Sequence, residues 1–296
     1  MDIEIIRMAS VLAIALIYML FDLFNKRNVP DIFAYATLAY GLALTLLYMG
    51  VLSLASIAIA ALVLGFGYLI YKAGQIGAAD IIEFAALSLV MPIQPVPWLT
   101  SLDQLGLPFI LSVLIGAGVA ALIIAPIYYL LLSKSRSKRS IIRSVDAKST
   151  LKSLIILAAY VAFMVFAKLV MGIDIYALAI LLVLAVFSSL IVLFESAIAS
   201  AMIKYVRVGD FEEGDIIALN FMDPKKVARI KARIKGMDRL VTRKLIKELK
   251  SKHISDRFPV YKNAMPMALP VFIGVLLALS VGDIILFIFP PIMAPL

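Results

Sequence analysis

The sequence predicts a polytopic α-helical membrane protein with about eight transmembrane helices and a small α+β domain before the last helix. Three observations support this fold class. Hydrophobic residues fill 64% of the 296 positions and the mean hydropathy is +1.05, whereas soluble domains are about 45–50% apolar. The apolar residues form runs of roughly the 20 residues that a helix needs to cross a bilayer. The basic residues are concentrated between those runs.

Eight apolar segments follow one another along the chain. The fourth starts at Ile81 and meets Pro92 early, so we expect it to be short. The seventh carries Glu195 and the eighth carries Asp283. The predicted spans are residues 3–21, 32–49, 51–71, a short segment from 81, 107–132, 154–171, 175–203 and 264–289.

Lysine and arginine in the loops predict the orientation of the chain. If the eight spans alternate, the segments on one side of the membrane contain 26 of the 28 basic residues, sixteen of them within 204–262. We therefore expect this side to face the cytoplasm and both termini to lie outside. The net charge of +9 then reflects loop bias and attraction to anionic lipid heads and does not indicate nucleic-acid binding.

Three parts of the chain are predicted. Residues 1–203 form a transmembrane core with extra spans, 204–262 a cytoplasmic domain, and 263–296 the C-terminal transmembrane helix. In the middle part, RVGDFEEGDIIALNF combines turn residues with a short apolar run, which indicates a strand or hairpin. The stretches DPKKVARIKARIKGM and DRLVTRKLIKELKSK have helical periodicity with basic faces, so we expect a small α+β domain.

Composition also limits the chemistry. The chain has no cysteine and a single histidine, His253. Disulfides, cysteine-ligated metals and histidine-cluster metal sites are thereby excluded. We predict no metal and no other cofactor.

Two aspartates at span edges form the predicted site. Asp22 ends the first span and Asp80 opens the fourth, so alternation puts both at the cytoplasmic face. A carboxylate near the bilayer is costly and needs a reason. Two aspartates that share a site perform aspartyl proteolysis, the ionised one activating water and the neutral one donating to the scissile carbonyl oxygen. Which of them holds the proton is left open, and either taken alone also fits a helix cap or interfacial anchor.

The residues around Asp80 complete the predicted site. Gly77, Ala78 and Ala79 supply nearly bare backbone that a substrate strand can approach closely. Glu83 follows Asp80 by three residues and shares its helical face. Two roles fit Glu83: a group that tunes or orients the site, or a buried hydrogen-bond partner.

The motifs around both aspartates resemble those of a known family. FDLFNKRNVPD, from Phe21 to Asp31, and GAAD, from Gly77 to Asp80, are similar to the two motifs of the type IV prepilin peptidases, which are GxGD membrane aspartyl proteases. The gap of 58 residues between the aspartates suits that family. The stretches EGDIIALNFM, LVTRKLIKELK and NAMPMALPVFIGVLLAL resemble its archaeal preflagellin peptidase branch.

The resemblance implies a membrane aspartyl endopeptidase that removes short basic leaders from pilin-like or archaellin-like precursors with class III-type signal peptides. It implies Asp22 and Asp80 as the catalytic pair and Gly77 as the first motif glycine, with Ala79 in place of the second. A basic leader would be read by Glu83 or by the acids of the turn GDFEEGD, residues 209–215. The chain departs from the branch in having extra helices between Leu107 and Ile203, where six spans are usual.

A different class of function is also compatible with the sequence. Glu195, Asp283 and Asp80 are carboxylates in or beside predicted spans, and such groups form ion or proton relays in membrane proteins. An ion- or proton-coupled transporter is therefore the alternative to the protease. No internal repeat of the kind common in transporters is evident.

Overall fold

The computed structural model describes residues 3–25, 28–48, 51–73, 76–99, 107–136, 145–234, 239–252, 254, 256–262 and 265–283. Eight helices occupy the eight predicted apolar segments. They are α1 (Ile3–Phe24), α2 (Asp31–Leu47), α3 (Val51–Lys72), α4 (Ala78–Val90), α5 (Phe109–Arg136), α6 (Ala147–Met171), α7 (Ile175–Leu193) and, after a small domain, α11 (Ala268–Ser280).

The helix lengths support a polytopic helical membrane protein. Within the described residues, five helices are long and apolar enough to cross a membrane, namely α1, α3, α5, α6 and α7. The helices α2, α4 and α11 have 17, 13 and 13 residues, which is at or below the lower limit for a spanning helix. The short fourth helix was expected. The predicted eighth span is helical over Ala268–Ser280, and its outer parts, Ala264 and 284–289, lie outside the described residues.

The predicted seventh span is wrong as a single helix. Helix α7 ends at Leu193, and a separate short helix, α8 (Glu195–Met202), follows. Phe194 separates them with backbone angles of φ −103° and ψ 21°. The break has a physical reason, because it places the Glu195 carboxylate at a helix N-terminus, where the helix dipole favours negative charge, instead of inside an apolar span.

Helix α4 is the centre of the N-terminal bundle. All of its residues from Phe84 to Val90 are buried, and it packs against α2 and α3. Glycines allow this close approach. A Cβ at Gly67 of α3 would lie 2.5 Å from a methyl carbon of Ile81, and one at Gly41 of α2 would lie 3.0 Å from the Cβ of Leu89.

Helix α11 returns to the bundle between α1 and α5. Its crossing with α5 depends on a pair of glycines, because a Cβ at Gly274 would lie 2.4 Å from the carbonyl oxygen of Val113 and one at Gly116 would lie 3.0 Å from the Cα of Gly274. The main core therefore joins α1, α2, α4, α5 and α11. This arrangement brings the N-terminus of α11 to the C-terminal end of α1.

Helices α6 and α7 form a peripheral hairpin beside α5. Asp146 and Asp174 cap their N-termini, accepting hydrogen bonds from the backbone of Ser149 and Ala177, and Gly172 ends α6 with φ 66°. Both helices pack on each other and expose large apolar side chains on their outer faces, as expected for surfaces in contact with lipid. Both helices lie within the range 107–203, where the extra helices were expected.

The segment between α8 and α11 has its own small core. Strand β1 (Lys204–Arg207) pairs antiparallel with β2 (Arg257–Val260), and α9 (Pro224–Arg233) and α10 (Arg243–Ser251) pack their apolar faces beneath them. The two expected basic helices are present, but the strand or hairpin predicted within 207–221 is not: β1 shares only Arg207 with that stretch, and Ile216 and Ile217 form isolated bridges. The reason is that β1 finds its partner at the far end of the segment and not in a local hairpin. Because β1 and β2 pair, the two ends of the domain lie together, where the chain leaves α8 and re-enters the bundle.

Candidate aspartate site

Asp22 lies near the end of α1, and its carboxylate contacts α11. Oδ2 of Asp22 accepts a hydrogen bond of 2.9 Å from the backbone N–H of Ala268, the first residue of α11. The N–H groups of a first helical turn have no partner within their own helix, and the helix dipole favours an anion there. The side chain is half-buried. The hydrogen bond to Ala268 therefore fixes the carboxylate, while part of its surface remains accessible to solvent.

Asp80 is the third residue of α4. Its Oδ2 accepts a hydrogen bond of 3.1 Å from the backbone N–H of Gly77, the residue that caps the helix. This contact fixes the carboxylate at the beginning of α4. Asp80 is also half-buried, whereas Gly77 and Ala78 beside it are exposed.

The structure gives a specific reason for glycine at position 77. Its backbone angles, φ −76° and ψ 152°, are open to any residue, so conformational freedom is not required. A Cβ at this position would lie 2.9 Å from Oδ2 of Asp80, closer than such atoms approach. Ala79, in contrast, lies within α4, where alanine is a favourable helix residue, and packs against the main core.

The two aspartates act on each other electrostatically. The negative charge of Asp22 disfavours ionisation of the carboxyl group of Asp80, although 58 residues separate the two in sequence. The ring of Phe33 on α2 holds α1 in place next to them, with centroids 5.2 Å from Phe21 and 5.3 Å from Tyr18. Two neighbouring carboxyl groups do not readily ionise together, so this pair has the composition needed to share a proton and to activate water.

Glu83 lies one turn beyond Asp80 and is fully buried, with 0% of its surface exposed. Both carboxyl oxygens lack a hydrogen-bond partner among the described residues. The charges of Asp80 and Asp22 both act on it. The burial agrees with the second role expected for Glu83, whereas a protein partner for its hydrogen bonds is not found in the described part of the chain.

Tyr18 is a fourth member of the cluster that the sequence did not reveal. It is fully buried, and Glu83 and Asp80 act on its hydroxyl electrostatically. That hydroxyl lies 3.1 Å from Oγ1 of Thr37. Since Thr37 gives its one hydrogen to the carbonyl oxygen of Ala34 at 2.8 Å, Tyr18 is the donor to Thr37. One feature of the sequence could have identified Tyr18: it lies four residues before Asp22, so the two side chains are on the same face of α1.

The remaining intramembrane acids lie elsewhere. Glu195 pairs with Nζ of Lys152 at 2.9 Å, and its side chain is 59% exposed. Asp283 is buried and accepts a hydrogen bond from Ser112 of α5. It follows the C-terminal end of α11, about 20 Å along that helix from Ala268. Neither acid acts on Asp80 or Glu83, so the described structure brings no relay of Glu195, Asp283 and Asp80 together.

Three of the four acids in the turn 209–215 form ion pairs within the small domain. Glu213 pairs with Arg243, and Glu212 and Asp215 pair with Lys262 at 3.1 and 3.3 Å. Burial lowers the pKa of Lys262, but the hydrogen bonds and charges of these two acids outweigh it and leave the pKa raised. The turn is therefore linked to the start of α10 through Arg243 and to the segment after β2 through Lys262. No group of three or more acidic or histidine side chains suited to a metal occurs in the part of the chain that the structure describes.

Comparison of the chain with protein-family models, with characterised proteins and with solved structures finds no significant match.

Proposed function

We propose that this protein is a membrane aspartyl endopeptidase that cleaves pilin-like or archaellin-like precursors after a short basic leader, in the manner of the type IV prepilin peptidases. The observation that carries the proposal is that Asp22, at the end of α1, and Asp80, at the start of α4, interact electrostatically and that both side chains are partly accessible. The motifs around these two aspartates support the same assignment.

In the proposed reaction, the ionised aspartate of the pair takes a proton from water, and the resulting hydroxide attacks the scissile carbonyl carbon. The neutral aspartate donates its proton to the carbonyl oxygen. Collapse of the tetrahedral intermediate breaks the C–N bond and returns a proton to the leaving amine. The exposed backbone at Gly77 and Ala78 is where the substrate strand would lie beside Asp80.

The second part of the proposal concerns the position of the site relative to the bilayer. A precursor whose apolar helix follows its cleavage site presents the scissile bond at the membrane surface. The excess of lysine and arginine in the loops supports a position of Asp22 and Asp80 at the cytoplasmic edge of a cell membrane, where water is available. The domain 204–262 then lies in the cytoplasm, and its excess of lysine and arginine faces anionic lipid heads.

The test uses the full-length protein in lipid nanodiscs and a pilin-like precursor with a Lys/Arg leader before an apolar helix, with the products identified by mass spectrometry. We expect Asp22→Asn and Asp80→Asn each to reduce cleavage roughly 100-fold or more, because each removes one acid–base group. The matched control is Asp31→Asn, an exposed aspartate at the start of α2, which should cleave normally. Normal cleavage by both Asp22→Asn and Asp80→Asn would exclude the aspartate pair as the catalytic groups, whereas no cleavage by the wild-type protein would exclude the protease and leave the transporter as the alternative.

A further inference from the structure

Glu83 is a buried acid that the proposed reaction does not use. It is one of the largest fully buried side chains in the described structure, and neither oxygen has a hydrogen-bond partner there. An ionised carboxylate without a partner is among the most expensive groups to bury. Because an apolar residue would fill this position at a lower free-energy cost, packing alone does not explain a glutamate here.

The surroundings of Glu83 oppose a negative charge. Asp80 acts on it from its own helix and Asp22 from α1, and both are acids. The other titratable neighbour is Tyr18 of α1, whose hydrogen is given to Thr37 of α2. No basic side chain on any described element, including α2, α3 and α5, is among the groups acting on Glu83. Because no cation and no donor among the described residues balances a negative charge, these surroundings favour the uncharged acid.

We propose that Glu83 is a positioning residue that carries a proton beside the aspartate pair and thereby fixes the charge of the cluster. This inference rests on the proposed function. An uncharged Glu83 leaves the one negative charge of the cluster on Asp22 or Asp80, where water activation needs it. The three carboxyl groups then titrate as one coupled unit, and ionisation of Glu83 at high pH adds a second negative charge that disturbs the pair.

Two substitutions separate this role from packing. Glu83→Gln keeps the size and the neutral hydrogen-bonding end, whereas Glu83→Leu keeps the approximate size alone. We expect Glu83→Gln to cleave near the wild-type rate at neutral pH, with the alkaline limb of its pH profile moved to higher pH because one ionisable proton is gone. We expect Glu83→Leu to lower kcat about tenfold or more with KM unchanged, while its thermal unfolding temperature stays equal or rises.

Other outcomes would overturn the proposal. Equal cleavage by Glu83→Leu and wild type would reduce Glu83 to a packing residue. A raised KM for basic leaders in Glu83→Gln would instead make it a leader-binding group, and an unchanged pH profile in that variant would remove it from the coupled unit.

A measurement that does not depend on cleavage tests the protonation directly. The infrared C=O band of a protonated carboxyl should be present in the wild-type protein at neutral pH, in a detergent without ester groups, and weaker in Glu83→Gln. Glu195→Gln is the control, because Glu195 lies away from the cluster in a 2.9 Å pair with Lys152, and it should leave the band unchanged. A band that is identical in wild type and Glu83→Gln refutes the uncharged Glu83. No cleavage by the wild-type protein refutes the protease and leaves the infrared result standing, so the two failures can be distinguished.

Discussion

Asp22 and Ala268 are 246 residues apart in sequence, yet the carboxylate of one accepts a hydrogen bond of 2.9 Å from the backbone of the other. This contact ties the first helix of the chain to the helix that follows the small domain. The position of one proposed catalytic group therefore depends on the packing of α11. A substitution that moves α11, even far from the site, should therefore change the position of the Asp22 carboxylate.

The crossing of α5 and α11 provides a test of this dependence. Gly274→Ala places a Cβ 2.4 Å from the backbone carbonyl oxygen of Val113, so α11 must move away. We expect a loss of about 1–3 kcal/mol in the free energy of unfolding together with reduced cleavage, measured by thermal unfolding and product formation. The control is Gly118→Ala on α5, where a Cβ meets no atom within 4 Å. If both variants behave alike, close glycine packing does not hold α11.

The contact of Gly77 with Asp80 predicts a local effect on activity. Gly77→Ala forces the Asp80 carboxylate to shift, because the new Cβ would lie 2.9 Å from its Oδ2. We expect cleavage to fall about tenfold, as displaced catalytic groups do, with little change in thermal stability. Gly65→Ala on α3 has open space around its Cβ and should keep full activity. Wild-type cleavage by Gly77→Ala would show that the carboxylate is not held by this contact.

Tyr18 offers a test of the buried hydroxyl next to the carboxyl groups. Tyr18→Phe removes its hydrogen bond to Thr37, while Thr37 keeps its own bond to Ala34. If the lost hydroxyl costs about 1 kcal/mol of transition-state stabilisation, the rate of cleavage should fall about fivefold.

Tyr40→Phe is the matched control for Tyr18. It breaks another bond between α1 and α2, the 2.7 Å contact of the Tyr40 hydroxyl with Ser10, which is exposed. Equal rates for the two variants would mean that Tyr18 only joins the helices.

The absence of native cysteine allows the orientation to be measured directly. Ser251→Cys places a thiol on the exposed end of α10, and Leu99→Cys places one at an exposed position that follows α4. With membrane-impermeant maleimide on intact cells, we expect labelling of Leu99→Cys alone, and of both after permeabilisation. Labelling of Ser251→Cys in intact cells would reverse the proposed topology and move the aspartates to the outer face.

The N-terminal half of the chain was the more predictable from its sequence. Long apolar runs predict the helix positions. Inside a bilayer there is no water to bond to the backbone N–H and C=O groups, so an apolar segment satisfies them internally by forming a helix. The pairing of Asp22 with Asp80 was also predicted, since alternating spans place both at one face. The break at Phe194 was missed, because hydropathy averages over a window and does not register a single charged residue such as Glu195.

Local composition and the alternation of spans were sufficient to predict a helical membrane protein, the positions of most helices and two acids at one edge of the bundle. The groups that surround those acids follow from the packing of the helices. The complete burial of Glu83, the hydroxyl of Tyr18 and the hold of Ala268 on Asp22 depend on how α1, α4 and α11 pack. Such packing brings together residues that are far apart in the chain, and it depends on side-chain shape and on small residues at the helix crossings. The periodicity of a single segment does not predict these contacts.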